Sequence, residues 1–115
     1  MNSSLIIHKG LAESGRWNKF SLLEQLANIG CDVDRAIRWR KSRPQDSELA
    51  LYRALELIDF TIADPKNKRR LKEIVYMREF LVDYFIGENQ YGFTDEQWQR
   101  YFLDFNYAAA IQRGC

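Results

Sequence analysis

Basic side chains crowd one short stretch of the sequence, and this stretch has the residue types needed to hold phosphate. The cluster follows a predicted helix start at Pro65 and consists of Lys66, Lys68, Arg69, Arg70 and Lys72. Cations at a helix start oppose the helix dipole, so helix stability alone does not favour them there. Backbone N–H groups at a helix N-terminus bind anions, and nearby cations strengthen that attraction. The pattern predicts a surface that contacts phosphate or RNA, with a solvated charged face as the alternative.

A second basic cluster lies at the end of the first predicted helix and has a structural explanation. Its members are Arg38, Arg40, Lys41 and Arg43. Positive charge at a helix C-terminus complements the helix dipole. A helix of about 18 residues separates the two clusters by roughly 25–30 Å, so they do not form one compact patch.

Aromatic residues are frequent in the last quarter of the chain and indicate a surface for a protein partner. The fourth predicted helix is apolar over more than one face, and such a helix needs a second partner surface. Two more aromatics flank Gly92, where they can stack on bases or fill a partner's pocket, with folding back to close the end of the core as the alternative. We predict a self-association interface, that of a homodimer, formed by Tyr91, Phe93, Trp98, Tyr101, Phe102 and Phe105.

Residues for catalysis or metal binding are scarce. The one histidine is His8, and the cysteines Cys31 and Cys115 lack the spacing of a zinc knuckle. A bundle enzyme that hydrolyses nucleotides with Mg²⁺ needs paired carboxylates on two helices, and only Glu56 and Asp59 show that spacing. Ion pairing with Arg53, Arg69 and Lys72 is the alternative for these two acids. We therefore predict no catalytic residue, no metal, no cofactor and no small-molecule substrate.

Helical periodicity runs through the chain from about residue 17. The first helix has a seam at Leu22, Leu26, Ile29, Val33 and Ala36, and Gly30 within it indicates a close helix crossing. The second helix is predicted over about 46–63, the third over about 65–86, and the fourth from Thr94. This pattern predicts an all-α fold, an antiparallel up-and-down four-helix bundle over 17–115, preceded by a mobile N-terminal arm over 1–16.

Start signals and charge pairs refine this picture. Asp64 is expected to cap a helix that begins at Pro65, and Thr94 with Gln97 has the spacing of a capping box. Antiparallel pairing of neighbouring helices predicts three ion pairs. They join Asp59 to Arg69 or Arg70, Arg78 to Asp104, and Asp83 to Arg100.

The totals restrict the class of protein. The 115 residues make one domain, and a net charge of +1 creates no overall field that would attract nucleic acid or membranes. Leu5, Ile6 and Ile7 form too short an apolar run for a secretory leader, and no run approaches the roughly 20 residues that span a bilayer. We expect a cytoplasmic protein without a membrane partner.

Three stretches resemble those of a family of small, uncharacterised prokaryotic helical proteins. They are Gln25–Gly30, Arg53–Leu57 continuing to Asp64-Pro65-Lys66, and Tyr91–Gln97. The resemblance implies a helical bundle from about residue 17 onward and implies no activity. The layout is also similar in outline to HEPN domains and to bundle proteins encoded in ribosomal RNA intervening sequences. HEPN ribonucleases carry an Arg shortly before a His, and no Arg precedes a His here, so ribonuclease activity is not expected.

The sequence thus leads to two hypotheses of different classes. The first is a non-catalytic interaction or assembly module that self-associates. The second is an RNA-binding bundle that uses the basic end Lys66–Lys72. A nucleotide-processing enzyme that uses Glu56 and Asp59 is a third hypothesis.

Overall fold

The computed structural model describes residues 15–112, with side chains to residue 105, and every regular element in this part is a helix. Its four α-helices are α1 (Leu22–Trp39), α2 (Pro44–Ala63), α3 (Leu71–Phe85) and α4 (Asp95–Gln112). Two 3₁₀ turns, Arg16–Lys19 and Pro65–Arg70, precede α1 and α3. The all-α prediction is confirmed for this part of the chain. The arm predicted over 1–16 lies outside the described residues, apart from Gly15 and Arg16.

Local hydrogen bonds explain where two of the helices begin. The Gln97 N–H donates to Thr94 Oγ1 at 3.1 Å, and the Thr94 N–H donates to Gln97 Oε1 at 2.9 Å, so the predicted capping box is present. Ser21 and Glu24 make the same reciprocal pair before α1. Each box satisfies two backbone donors that a helix start would otherwise leave unpaired.

The third helix begins later than the sequence pattern predicts. Asp64 does act as a cap, since its Oδ1 accepts from the Lys66 N–H at 3.2 Å. However, Pro65–Arg70 form a 3₁₀ turn, and α3 starts only at Leu71. The Asn67 side chain explains the difference, because it donates to Gln25 Oε1 at 2.8 Å and to the Thr61 carbonyl at 3.0 Å. These long-range bonds hold the segment in the tighter turn.

The core lies around α1, whose backbone packs closely along both α2 and α4. Ile29 on α1, Ile58 on α2 and Leu81 on α3 are fully buried at its centre. Gly30 marks the crossing of α1 and α4, as predicted: a Cβ placed there would lie 2.7 Å from Phe102 Cβ. Real carbon atoms do not pack that closely, so a glycine is required for the two helices to cross at this distance.

A buried polar network closes one end of the core. The Trp17 indole N–H donates to Thr61 Oγ1 at 3.1 Å. The Gln25 amide nitrogen donates to the Trp17 carbonyl at 3.0 Å and to Asp64 Oδ2 at 2.9 Å. Asn67 adds the two bonds described above. The network therefore ties the 3₁₀ turns and α1 to the end of α2, and its buried members satisfy one another's polar groups.

The predicted ion pairs are wrong, because the residues involved have other partners in the structure. Arg78 donates to Asp59 through Nε at 2.7 Å and through Nη2 at 3.2 Å, rather than to Asp104. Asp83 accepts from the backbone N–H groups of Gln90 and Tyr91, rather than from Arg100. The 3₁₀ turn delays the start of α3 to Leu71, so simple pairing across Asp64-Pro65 does not give the register of α3 against α2. Asp59 meets Arg78 instead of Arg69 or Arg70.

Candidate functional site

A cleft of about 780 Å³ opens between α3 and α4. One wall consists of Met77 and of residues on the end of the second 3₁₀ turn and the outer face of α3. The other wall is formed by residues that lead into α4 or lie on its first turns. The lining residues are Arg69, Arg70, Lys72, Glu73, Tyr76, Met77 and Phe80 on the first wall and Phe93, Gln97, Trp98 and Tyr101 on the second.

Helix geometry explains why these side chains face the cleft. On α3 the buried positions are Ile74, Met77 and Leu81, which pack into the core. The positions beside that stripe, Tyr76 and Phe80, are one turn apart and share the neighbouring face. The backbones of α3 and α4 hardly approach each other, whereas α1 lies close to both α2 and α4. Side chains therefore form the walls of the cleft, and its floor is the core.

Aromatic rings line the cleft in a continuous run. Tyr76 and Phe80 stack with their centroids 6.1 Å apart, and Phe80 lies 5.4 Å from Phe93. Phe93 lies 5.1 Å from Trp98, which lies 5.9 Å from Tyr101. These distances are those of favourable aromatic pairs. Tyr76 is 45% exposed, and Phe80, Phe93 and Tyr101 are half-buried, so these rings present planar apolar surface of the kind on which nucleic-acid bases stack.

Positive charge is concentrated at one end of the same cleft. Arg69, Arg70 and Lys72 are exposed, and Lys72 Nζ lies 5.7 Å from the centre of the Tyr76 ring. Arg70 Nη1 donates to Glu73 Oε2 at 3.2 Å. Three cations face one carboxylate, so this end of the cleft attracts anions. The lining thus combines anion-binding groups with stacking surfaces.

The Tyr101 hydroxyl is held in its protonated form. Burial raises the pKa of the Tyr101 phenol above its ordinary value of 10.0, and the nearby Glu73 carboxylate raises the pKa further. Tyr101 therefore offers an O–H donor at neutral pH. Trp98 differs, because its indole nitrogen is enclosed and makes no hydrogen bond with the described residues. Trp98 is only 4% exposed, so its ring supports the neighbouring aromatic rings more than it offers surface to a ligand.

The structure brings together part of each predicted set of site residues. Of the basic cluster, Arg69, Arg70 and Lys72 line the cleft. Lys68 is exposed outside it, while Lys66 Nζ donates to Asp64 and to the Asn18 carbonyl. Lys66 therefore stabilises the fold through these two bonds.

The predicted aromatic interface is divided between the cleft and the core. Phe93, Trp98 and Tyr101 line the cleft. Phe102 is only 2% exposed and packs against Gly30, and Phe105 lies in a smaller pocket beside α1. Tyr91 is 58% exposed and contacts the edge of the cleft through Phe80, at 4.6 Å between centroids. These six residues therefore do not form one outward-facing patch.

Five residues that line the cleft are absent from the predicted phosphate-binding and interface sets: Glu73, Tyr76, Met77, Phe80 and Gln97. Glu73, Tyr76 and Phe80 recur at spacings of three and four, as one helix face requires. This face lies beside the seam at Ile74 and Leu81, and the signal was visible. What the sequence does not contain is the separation of α3 from α4, which makes that face a wall of a cleft.

The acidic pair considered for Mg²⁺ chemistry is engaged elsewhere. Asp59 holds Arg78 through both of its oxygens, and Glu56 lies one turn before it on α2. Within residues 15–112, no three Asp, Glu, Cys or His side chains lie close enough together to hold a metal ion. In the same range, each helix is too short or too polar to cross a membrane.

Comparison with known proteins adds no relative from which a role could be transferred. The chain matches no family model, no curated protein and no solved structure. Membership of the prokaryotic family suggested by the three sequence stretches stays a prediction, and function has to be argued from the cleft itself.

Proposed function

We propose that this protein is a non-catalytic RNA-binding bundle that holds single-stranded RNA in the cleft between α3 and α4. The observation that supports the proposal is the meeting of Arg69, Arg70 and Lys72 with a run of five aromatic rings in one cleft. Phosphate needs cations and bases need planar apolar surface, and single-stranded RNA presents both within each nucleotide.

The two kinds of lining residue have separate tasks in this proposal. The cations contact phosphates and position the strand without regard to its sequence. The rings stack on unpaired bases, at about 1–3 kcal/mol per base. A net charge of +1 for the chain means that the attraction is local to this end of the cleft rather than a property of the whole surface.

The size and the charge of the cleft support an anionic ligand with an aromatic part. About 780 Å³ lies within the roughly 300–1,000 Å³ of sites that bind small organic molecules, which accommodates at least one nucleotide. The chain's own residues 1–14 are a poorer match, because Lys9 and Glu13 give that stretch no excess of negative charge. Charge complementarity therefore favours RNA over the N-terminal segment as the occupant.

A binding titration with matched charge reversals tests the proposal. A fluorescently labelled single-stranded RNA should bind the full chain with an affinity that falls with salt, at a logarithmic slope of roughly −2 for three phosphate contacts. The double variant Arg69→Glu/Arg70→Glu should abolish binding. The control, Arg38→Glu/Lys41→Glu, reverses the same amount of charge at the other cluster and should bind like the unmodified protein.

Other outcomes of this titration would overturn the proposal. Equal loss of binding in both double variants would indicate non-specific attraction to positive charge. Binding to duplex RNA as tight as to the single strand would exclude stacking of bases in the cleft. Preference for single-stranded DNA would identify a different ligand.

We further propose self-association as a second function, since one apolar surface outside the cleft favours it. Tyr52 on α2 and Ile86 at the end of α3 are 47% and 58% exposed and line the same groove. Leu49 is also exposed, one turn before Tyr52. Neighbouring exposed apolar side chains of this kind favour a protein partner, and a second copy of the chain is the simplest one.

Sedimentation at micromolar concentration tests the homodimer. We expect a dimer for the unmodified protein and a monomer for Ile86→Glu. The control is Leu103→Glu, which changes a side chain that is 61% exposed on α4, away from the groove. A monomeric unmodified protein would contradict self-association, and a monomer produced only by Leu103→Glu would move the interface to α4.

Two further expectations accompany these proposals. Connections as short as residues 40–43 and 86–94 favour an antiparallel up-and-down order of the helices. A single-stranded RNA ligand favours the cytoplasm as the place of action.

A further inference from the structure

Glu73 is the only carboxylate among the described residues that line the cleft, and it pairs with one of the cations there. Its Oε2 accepts from Arg70 Nη1 at 3.2 Å, and its charge contributes to the raised pKa of the Tyr101 phenol. Glu73 therefore lies between the cationic end of the cleft and the aromatic run. Its side chain is 55% exposed, so a ligand can reach it.

A carboxylate at this position discriminates between the parts of a nucleotide. It repels phosphate and accepts hydrogen bonds from N–H groups. An ionised carboxylate has roughly four acceptor positions, and the bond from Arg70 occupies one of them. The same bond turns one oxygen of the carboxylate toward Arg70. A ligand seated beside Glu73 is therefore bound best when it presents N–H donors there and keeps its phosphate toward Arg69 and Lys72.

We propose that Glu73 makes the cleft selective for guanine, an inference that rests on the proposed binding of RNA. The pairing edge of guanine presents O6 as an acceptor, followed by the N1–H and N2–H₂ donors. The two adjacent donors match the two oxygens of Glu73. O6 matches a donor beside it, either the Arg70 guanidinium or the protonated Tyr101 hydroxyl. Adenine, cytosine and uracil each present fewer adjacent donors to a carboxylate.

The helix places a stacking surface next to this carboxylate. Tyr76 follows Glu73 by three residues, so both side chains lie on the same face of α3. The Tyr76 ring is 45% exposed, and Phe80 stacks behind it. A base stacked on Tyr76 can therefore turn its pairing edge toward Glu73. Lys72 Nζ lies over the same ring, 5.7 Å from its centre, so a stacking base displaces it and the ammonium can then neutralise the attached phosphate.

Titration of the full chain with mononucleotides tests the inference. GMP, IMP, AMP, CMP and UMP are the probes, with intrinsic tryptophan fluorescence as the signal. GMP should bind tightest. IMP differs from GMP only in lacking the 2-amino group, and it should bind roughly tenfold more weakly, as should the other three nucleotides.

The variant Glu73→Gln provides the second arm of the test. It should remove the preference for GMP while the other nucleotides bind equally well or more tightly, because a negative charge near phosphate is gone. The control Glu79→Gln changes an exposed carboxylate of α3 outside the cleft and should keep the preference.

The possible failures are distinguishable. If no nucleotide and no RNA binds, the proposed function is wrong. If RNA binds the unmodified protein and the five nucleotides bind it with affinities equal to one another, RNA binding stands and guanine selectivity is overturned. The selectivity is also overturned if Glu73→Gln retains the preference for GMP. The comparison of GMP with IMP uses the unmodified protein, so it does not depend on the folding of a variant.

Discussion

At Asp64, a single buried carboxylate links the end of α2 to the 3₁₀ turn that precedes the cleft. Asp64 is 4% exposed and accepts from Gln25 Nε2, from the Lys66 backbone N–H and from Lys66 Nζ. Burial acts to raise the pKa of this carboxyl. The hydrogen bonds from Lys66 and Gln25 outweigh burial and hold the pKa below its usual value of 3.8.

This lowered pKa predicts how stability depends on pH. Because the folded pKa lies below the unfolded one, the unfolded chain binds more protons between the two values. The contribution of Asp64 to the free energy of unfolding is therefore complete above pH 3.8 and disappears as the pH falls through the folded pKa. Asp64→Asn should lose about 1–3 kcal/mol at neutral pH, since it places a donor against Gln25. Urea unfolding across the pH range measures both effects.

The exposed Asp46 supplies the control for this prediction. Asp46→Asn, at the start of α2, should change the free energy of unfolding at neutral pH by no more than about 1 kcal/mol. The difference between the unmodified protein and Asp64→Asn should shrink on acidification. A difference that stays constant down to the lowest pH would show that the Asp64 charge has no part in the network.

At the crossing of α1 and α4, a Gly30→Ala substitution has two effects on stability, and these effects have opposite signs. Gly30→Ala improves helix propensity by about 1 kcal/mol. The new Cβ would lie 2.7 Å from Phe102 Cβ, and overpacking of this kind costs about 1–3 kcal/mol. We expect a net loss of stability of about 1 kcal/mol, or a fall in Tm of roughly 5 °C, and a larger loss for Gly30→Val. Thermal unfolding measures this.

Arg38→Ala on the same helix is a control that introduces neither effect, because Arg and Ala have similar helix propensities. Arg38 is exposed near the end of α1, and Arg38→Ala should change stability by no more than about 0.5 kcal/mol. A Gly30→Ala variant more stable than the unmodified protein would mean that propensity decides the outcome. The two helices would then not cross at the distance described.

The elements also show which features a sequence can reveal. Thr94, Gln97 and Asp64 act through neighbours within three residues, so their roles as caps were predictable from local pattern alone. The 3₁₀ turn was not, because it depends on Asn67 reaching Gln25, which lies 42 residues away in sequence. The pairing of Arg78 with Asp59 is also beyond local pattern, because the two residues are 19 positions apart and meet only in the packed fold.

The candidate site was predictable to a similar extent. Residue type alone identified Arg69, Arg70 and Lys72 as phosphate-binding candidates and Trp98 and Tyr101 as available aromatics. Their meeting in one cleft depends on how far α3 stands from α4, which is a property of the packed core. The bundle predicted from the sequence has equally close packing between all neighbouring helices.

At the scale of the whole molecule, the position of the cleft between α3 and α4 predicts which helices a bound ligand stabilises. RNA bound between α3 and α4 contacts both walls, so it should slow amide hydrogen exchange in these two helices more than in α2. Binding to the folded state alone raises stability by about 2.7 kcal/mol at a ligand concentration one hundred times Kd. Hydrogen exchange with and without RNA measures the distribution of the effect. Protection spread evenly over all four helices would place the ligand elsewhere.

The weak backbone packing between α3 and α4 has a further consequence. One wall of the cleft is anchored to α2, while the other is anchored to α1 through the Gly30–Phe102 crossing. The two walls meet mainly through side chains, as where Phe80 and Phe93 lie 5.4 Å apart between ring centroids. A ligand that displaces these rings would therefore loosen side-chain contacts and leave the backbone packing of α1 against α2 and α4 in place.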